Sequence, residues 1–410
     1  MQWNETIKYI SCGTQTLSKK PSMFVEGVYP VYLERGKGAR VWRINHQSYI
    51  DYPLGLGAIL LGHSDSKVNK AVSAQMEKGT LFTLPSYQET VLAKKIVEMI
   101  PCAEKVRFLK TGSEATSAAI KIARAYTKKE HIAYCGYHGW HDWYTVDTEK
   151  NDGIPSSYGD YIHKFDYNDI KSLKSIFKNH DIACVIMEPY IYAEPEDNFL
   201  NKVIDLAHKN NSLTIFDEVV TGFRTLKYSA QAMFKATPDL STFGKGMANG
   251  YPISVVCGKS EIMDVLEGDC FVSSTFGGEL LSIAAALEVL NQLTTYNIID
   301  TIWERGEELL LGYNSIAKKL GIDTKCIGYP CRTMFMFPTG DHKSLFWQEC
   351  IKRGVLFGYA QFISYSHSAK DIDYTLEVIG EALSVVKDNW KAPLKALEGE
   401  PAQKVFRLVK

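Results

Sequence analysis

Three short segments carry residue types that could do chemistry together. The first, KTGSEATSAAIKIARAY, begins at Lys110, where an apolar run ends and Thr111, Gly112 and Ser113 open a helical pattern. The first N–H groups of a helix have no carbonyl partner, so a hydroxyl-rich start of this kind favours a phosphate. Taken alone, the same residues read more readily as an ordinary capping box, Ser113 with Thr116 or Glu114. The second, TIFDEVVTGFR (214–224), sets Asp217 and Glu218 at the end of an apolar strand. Open α/β sheets bind ligands at the carboxyl ends of their strands. Adjacent side chains on a strand face opposite sides, so the two carboxylates are expected to do different jobs. The third, STFGKGMANGYPISVVCG (241–258), holds Lys245 between Gly244 and Gly246. A lysine withdrawn from water, or placed near another cation, is a nucleophile at neutral pH. Flanking glycines let its backbone approach a ligand closely, although a surface lysine in a glycine-rich loop has the same local sequence.

The elements that must position these residues are legible as an alternation. Strand-like apolar runs stand at VRFLK (106–110), HIAYCGY (131–137), ACVIMEP (183–189), LTIFDEV (213–219) and ISVVCG (253–258). Between them lie helical patterns, with Ala118, Ile122 and Ala125 on one face of the first and Leu200, Ile204 and Ala207 on another. Strands alternating with helices imply a mostly parallel sheet covered on both faces. Residues 31–52 read instead as a short meander, and 301–410 as a long helix, short strands and a closing helix. The expected organisation is an N-terminal segment with part of a small α+β domain (1–60), a large α/β domain (61–300), and the rest of the small domain (301–410).

Composition excludes several classes. The chain has 410 residues, with 46 Lys+Arg against 47 Asp+Glu, so no general positive field exists to hold a nucleic acid. No apolar run approaches the 18 or so residues of a membrane span. Nine scattered cysteines without a CxxC pair point to a reducing compartment. The start MQWNETIKYISCGTQ lacks the basic and apolar regions of a signal peptide, so a cytoplasmic protein is expected. Neither GxxxxGK[ST], HExxH nor GxSxG occurs. GLGAILLG (55–62) lacks dinucleotide-binding spacing, and HGWHD (138–142) offers two histidines with no further ligand placed by sequence, so no metal is expected.

An anchored phosphate, a carboxylate on a ring nitrogen and a Schiff-base lysine are the three things that pyridoxal 5'-phosphate (PLP) needs. Their order here, with TGSEAT (111–116), GYHGWHD (136–142), MEP (187–189), FDEVVTGFR (216–224), FGKGMANGYP (243–252) and SSTFGGE (273–279), resembles the class III aminotransferases of PLP fold type I, and within them the glutamate-1-semialdehyde 2,1-aminomutase branch. The resemblance runs from about residue 30 to 385. It implies that Lys245 forms the Schiff base and moves the proton between substrate and cofactor carbons, and that Asp217 pairs with the pyridinium nitrogen. It further implies that Gly112 and Ser113 bind the phosphate, Tyr137 stacks on the ring with His138 alongside, and Val219 packs on the opposite face. Glu188 would stand near the ring hydroxyl. Thr275 would reach the phosphate of the partner subunit in a homodimer.

Two departures from the aminomutase shape the expected reaction. The stretch CGTQTLSKKPSMF (12–24) has Lys19 and Lys20 but no arginine to fork onto a substrate carboxylate. The stretch GVLFGYAQFISYSHSAKDIDYTLE (354–377) is shorter than its counterpart and has no acidic residue before Asp371. An ordinary aminotransferase fits better, moving an amino group from an amino acid such as L-glutamate to an aldehyde or ketone. Tyr359, Gln361, Ser364 and Tyr365 suggest a sugar-derived or phosphorylated acceptor in specialised or surface-glycan biosynthesis. The competing readings are an aminomutase, a PLP-dependent epimerase or racemase, and a non-catalytic binding protein on the same fold.

Overall fold

The computed structural model describes residues 2–403. Its centre is a seven-stranded sheet. The strands are β4 (Lys105–Leu109), β5 (His131–Cys135), β6 (Ile162–Lys164), β7 (Ile182–Met187), β8 (Leu213–Asp217), β9 (Leu240–Phe243) and β10 (Ser254–Gly258). They lie in the order β4-β10-β9-β8-β7-β5-β6. Neighbours from β9 through β6 pair in parallel, whereas β10 runs antiparallel to both β4 and β9. Every residue of β7 and β8 is buried, as the continuous apolar runs require of strands covered on both faces.

The helices predicted from apolar spacing form at Gly112–Thr127 and Phe199–Lys209. Ala118, Ile122, Leu200, Ile204 and Ala207 are all buried, while Ala125 is only partly so. Two strands escape the sequence pattern. β6 is a three-residue edge strand carrying His163 and Lys164, and β9 is hidden in the approach to Lys245. The antiparallel course of β10 has a simple cause. The link from Phe243 to Ser254 holds only a short 3-10 turn, Lys245–Ala248, and a parallel return needs a longer crossover.

The chain ends share two smaller sheets. In one, β1 (Arg35–Lys37), β2 (Arg40–Trp42) and β3 (Ser48–Asp51) form the expected meander, and β13 (Val355–Leu356) joins β3 in parallel. The other is antiparallel, β11 (Lys325–Tyr329), β12 (Arg332–Met336) and β14 (Gln361–Phe362). Helices Ile298–Leu320, Gly340–Lys352 and Ala369–Asp388 accompany them. Tyr52 Oη bonds to Thr375 Oγ1 at 2.8 Å, and Arg40 pairs with Asp371 at 3.0 Å, tying the beginning of the chain to its last long helix. No helix among the described residues is long and apolar enough to cross a membrane.

What the sheet does for function follows from its direction. Parallel strands present all their carboxyl ends on one edge. β4 delivers Thr111, Gly112 and Ser113 to that edge, and β5 delivers Gly136, Tyr137 and His138. β7 delivers Glu188, β8 ends on Asp217, and β9 leads into Gly244 and Lys245. Five strands thus converge residues that are up to 134 positions apart in sequence, from 111 to 245.

Candidate active site

A cavity of about 320 Å³ opens at this edge, lined by residues that include Gly112, Ser113, Tyr137, His138, Glu188, Asp217, Val219 and Lys245. All the residues expected to hold or activate the cofactor, except Thr275, therefore meet in one place. Thr275 lies exposed in a turn outside this lining.

The helix start is capped by Thr111, not by Ser113. Thr111 Oγ1 accepts the Glu114 N–H at 3.3 Å, and Glu114 Oε2 accepts the N–H groups of Thr111 and Lys110 at 2.7 and 2.9 Å. This reciprocal box leaves Gly112 and Ser113 as the first helical residues, on the cavity wall and without carbonyl partners inside the helix. Two glycines make the cradle possible. A Cβ on residue 112 would sit 2.8 Å from Val219 Cγ1. Gly139, at φ +108°, passes so close to Ser113 that a Cβ there would stand 2.2 Å from Ser113 Oγ.

Asp217 is buried, and both of its oxygens have partners. Its Oδ1 accepts the Val219 N–H at 3.1 Å and the Thr242 hydroxyl at 3.3 Å, and its Oδ2 lies 2.8 Å from His138 Nδ1. His138 Nε2 lies 3.1 Å from the Cys135 carbonyl, which can only accept, so that nitrogen carries a hydrogen. Strand alternation would put Val219 on the same strand face as Asp217. The strand instead ends at Asp217, and the carboxylate itself ties Val219 into the following turn.

Glu218 takes the other direction, as strand alternation requires. It accepts from the Ala230 N–H at 2.5 Å, the Gln231 side chain at 3.0 Å and the Thr221 hydroxyl at 3.1 Å, while burial raises its carboxyl pKa against these donors. Its task is to hold the start of the short helix Ala230–Phe234 on the sheet. Glu218→Ala would strand several buried donors, so it is expected to lower the unfolding free energy by about 3 kcal/mol in denaturant titration. A loss under about 1 kcal/mol would show that this carboxylate does not anchor the short helix.

Lys245 sits at φ +42°, a left-handed backbone that a non-glycine residue keeps only when its surroundings impose it. Burial pushes its ammonium down to about 8, with Arg332 and Arg224 adding to the fall and Asp217 and Glu188 opposing it. Glu188 Oε2 accepts the Tyr137 N–H at 3.1 Å, and Glu188 Oε1 meets Arg332 Nη1 at 3.4 Å. Arg332 lies 5.0 Å above the Tyr192 ring. Neither it nor Thr242 stands out in the sequence. Thr242 is findable in principle, because it faces Asp217 across the β8–β9 register. YPCRTMF gives Arg332 no such signal.

Other expected contributors lie elsewhere. Lys19, Lys20, Tyr359, Gln361, Ser364 and Tyr365 do not line the cavity. Tyr359 donates to the Gln403 carbonyl at 2.9 Å, Gln361 to the Gly358 carbonyl at 2.8 Å, and Ser364 Oγ meets His367 Nδ1 at 2.9 Å. The histidines of HGWHD separate, with His141 Nδ1 at 2.7 Å from Ser117 Oγ and His138 on Asp217.

The arrangement offers an open helix start for a doubly charged anion, an aromatic side chain beside an aliphatic one for a flat ring, and a buried carboxylate for a ring cation. An amine of lowered proton affinity completes it. Comparison with known proteins agrees. The chain is 37% identical over 400 residues to the 3-aminobutyryl-CoA aminotransferase of Cloacimonas acidaminovorans, covering 93% of this chain and 96% of that one. It is 36% identical over 421 residues to the glutamate-1-semialdehyde 2,1-aminomutase of Sulfurisphaera tokodaii, covering 94% and 99%. Among solved structures, the FumI protein of Sphingopyxis sp. MTA144, in its PLP internal aldimine form, superposes with a TM-score of 0.91 at 29% identity, over 98% of this chain and 97% of that one. The family model described as aminotransferase class III matches residues 24–328, well over half the sequence. The protein belongs to the class III aminotransferases.

Proposed function

We propose that this enzyme carries an amino group from an amino acid, L-glutamate, to a separate aldehyde or ketone, and that it works as a homodimer. PLP is the cofactor of this class, and the fold is its type I. When bound, PLP supplies an electron sink that lets the proton leave the carbon bearing the amino group. The chain's residues do the rest. Gly112 and Ser113 would hold the phosphate at the helix start, Tyr137 and Val219 would enclose the ring, and Glu188 would stand near the ring hydroxyl. Asp217, backed by His138, would face the ring nitrogen. Lys245 would anchor the cofactor through Nζ and, when its amine is free, take and return the proton.

The observation that carries this reading is the meeting of Lys245, Asp217 with His138, and the open helix start in one cavity. The relatives include both an aminotransferase and an aminomutase, so reaction type must come from the residues. The N-terminal stretch lacks an arginine, and Lys19 and Lys20 stay outside the cavity. That favours exchange between two molecules over exchange within glutamate-1-semialdehyde. Arg224 and Arg332 add positive charge near Lys245 that suits an acidic donor, although neither lines the cavity: Arg224 donates to the Val220 carbonyl and Arg332 pairs with Glu188. A sugar-derived or phosphorylated acceptor rests on Tyr359, Gln361, Ser364 and Tyr365. Three of those bond within the chain, so the acceptor proposed is the broader class of aldehyde or ketone.

The homodimer has its own support. Phe271 and Phe276 are exposed on either side of Thr275, and Phe82, Leu84 and Tyr87 are exposed on the segment that the Leu280 N–H joins through the Thr80 carbonyl at 2.9 Å. Exposed aromatic and aliphatic side chains grouped this way suit a protein interface. A partner there would bring Thr275 to a second cavity. Nine cysteines, all free and eight of them buried, suit the cytoplasm.

The test is a titration of PLP-loaded enzyme with L-glutamate. The visible band of the bound cofactor is expected to bleach, with 2-oxoglutarate released in equal amount. A band that ignores glutamate, with glutamate-1-semialdehyde converted in the absence of any donor, would replace this reading by the aminomutase.

A further inference from the structure

Away from the active site, three histidines meet at the opposite end of the sheet. His131 begins β5, His163 is the middle residue of β6, and His180 lies in the turn before β7. These three strands are neighbours at one margin of the sheet, so residues up to 49 positions apart, from 131 to 180, are brought side by side. None of the three lines the active-site cavity.

Their geometry is that of convergent ligands. One ring nitrogen from each lies within 4.8 Å of the others, and His131 Nδ1 stands 3.1 Å from His163 Nε2. Two imidazole nitrogens sharing a tetrahedral ion at about 2.05 Å would be about 3.3 Å apart. One pair is thus already at bridging distance, and the third nitrogen lies within 4.8 Å of both. His163 and His180 stack with ring centroids 3.7 Å apart and planes 19° from parallel. All three side chains are half-buried, leaving an open side for water.

We propose that His131, His163 and His180 form a binding site for a divalent transition-metal ion of the Zn²⁺, Ni²⁺ or Cu²⁺ class, with water completing its shell. Imidazole is the ligand these ions share. The ion would join β6, a three-residue edge strand paired only to β5, to the turn entering β7. It would therefore act as a staple on this margin of the sheet, not as a participant in amino transfer.

The experiment uses the PLP-loaded protein after treatment with a chelator. Zn²⁺ is titrated by calorimetry, and thermal unfolding is followed with and without saturating Zn²⁺. One ion per chain with a dissociation constant of about micromolar order is expected, together with a rise in unfolding temperature of about 2–4 °C. In His163→Gln and His180→Gln both effects should fall at least about tenfold or vanish. Co²⁺ added to the unaltered protein should give the visible absorption of imidazole-ligated cobalt, a readout that needs no substitution. Absence of Zn²⁺ binding below about 100 μM in the unaltered protein would overturn the site, and so would binding that persists unchanged in the two variants.

Discussion

Lys245→Ala is expected to leave a folded protein that has lost turnover by about 10⁴-fold or more, the combined effect of removing a covalent anchor and a general base. The fold should survive because the lysine side chain reaches into the cavity and no buried hydrogen bond in the sheet depends on it. The substitution also relaxes nothing essential in the backbone. The left-handed φ of +42° at this position is imposed by the turn between β9 and β10, and lysine and alanine side chains bear it alike. Two measurements separate this from simple unfolding. Circular dichroism should match the parent, and the characteristic visible band of the lysine-bound cofactor should be missing even with PLP in excess. A variant retaining that band would remove Lys245 from the reaction.

The same lysine gives a pH dependence whose sign is fixed. Only the neutral amine attacks a carbonyl, and its fraction rises with pH through the pKa. With the pKa lowered to about 8, half of the Lys245 amines are neutral at that pH. An ordinary lysine near 10.5 would be neutral in about one molecule in 300. The rate at which cofactor-free protein captures PLP should therefore climb up to about pH 8 and level off above it. A rate still climbing tenfold per unit between about pH 9 and pH 10 would show an unperturbed amine.

Much of the site is legible because parallel strands convert sequence order into spatial convergence. An apolar run followed at once by a polar or glycine-rich signature marks a strand's carboxyl end. GYHG after HIAYC, MEP after ACVI and DEV after LTIF all have that form. Local order cannot reveal the partners. Arg332 reaches Glu188 from the other end of the chain, through the three-stranded sheet of β11, β12 and β14, and no spacing rule connects residues 188 and 332. The cap is a correction that spacing alone could have supplied: Thr111 stands three residues before Glu114, the capping-box pattern, whereas Ser113 has Thr116 at that place. The histidine cluster is invisible for a related reason. Its members sit on or beside three strands, and β6 is too short and too polar to be seen as one.

Asp217→Asn asks whether the site needs a charge or only an acceptor. Asparagine keeps the shape of aspartate and one acceptor oxygen, so the Val219 N–H can still be satisfied. It cannot neutralise a ring cation, and its NH₂ group would face either His138 or the Thr242 hydroxyl. Because the carboxylate is buried, its charge acts through a medium that screens poorly, and a loss of about 4 kcal/mol at the transition state is reasonable. That corresponds to about a 10³-fold fall in kcat. PLP should still bind, since the helix start and Lys245 are untouched, though more weakly. The stability change should remain within about 1–2 kcal/mol, which denaturant titration would check. His138→Asn provides the graded comparison. It removes the imidazole 2.8 Å from the carboxylate without removing the carboxylate, so kcat should fall less, by about tenfold to a hundredfold. Retention of more than about a tenth of the parent kcat in Asp217→Asn would mean that charge at this position does not stabilise the reaction, and Asp217 would then serve only to hold Val219, Thr242 and His138 in place.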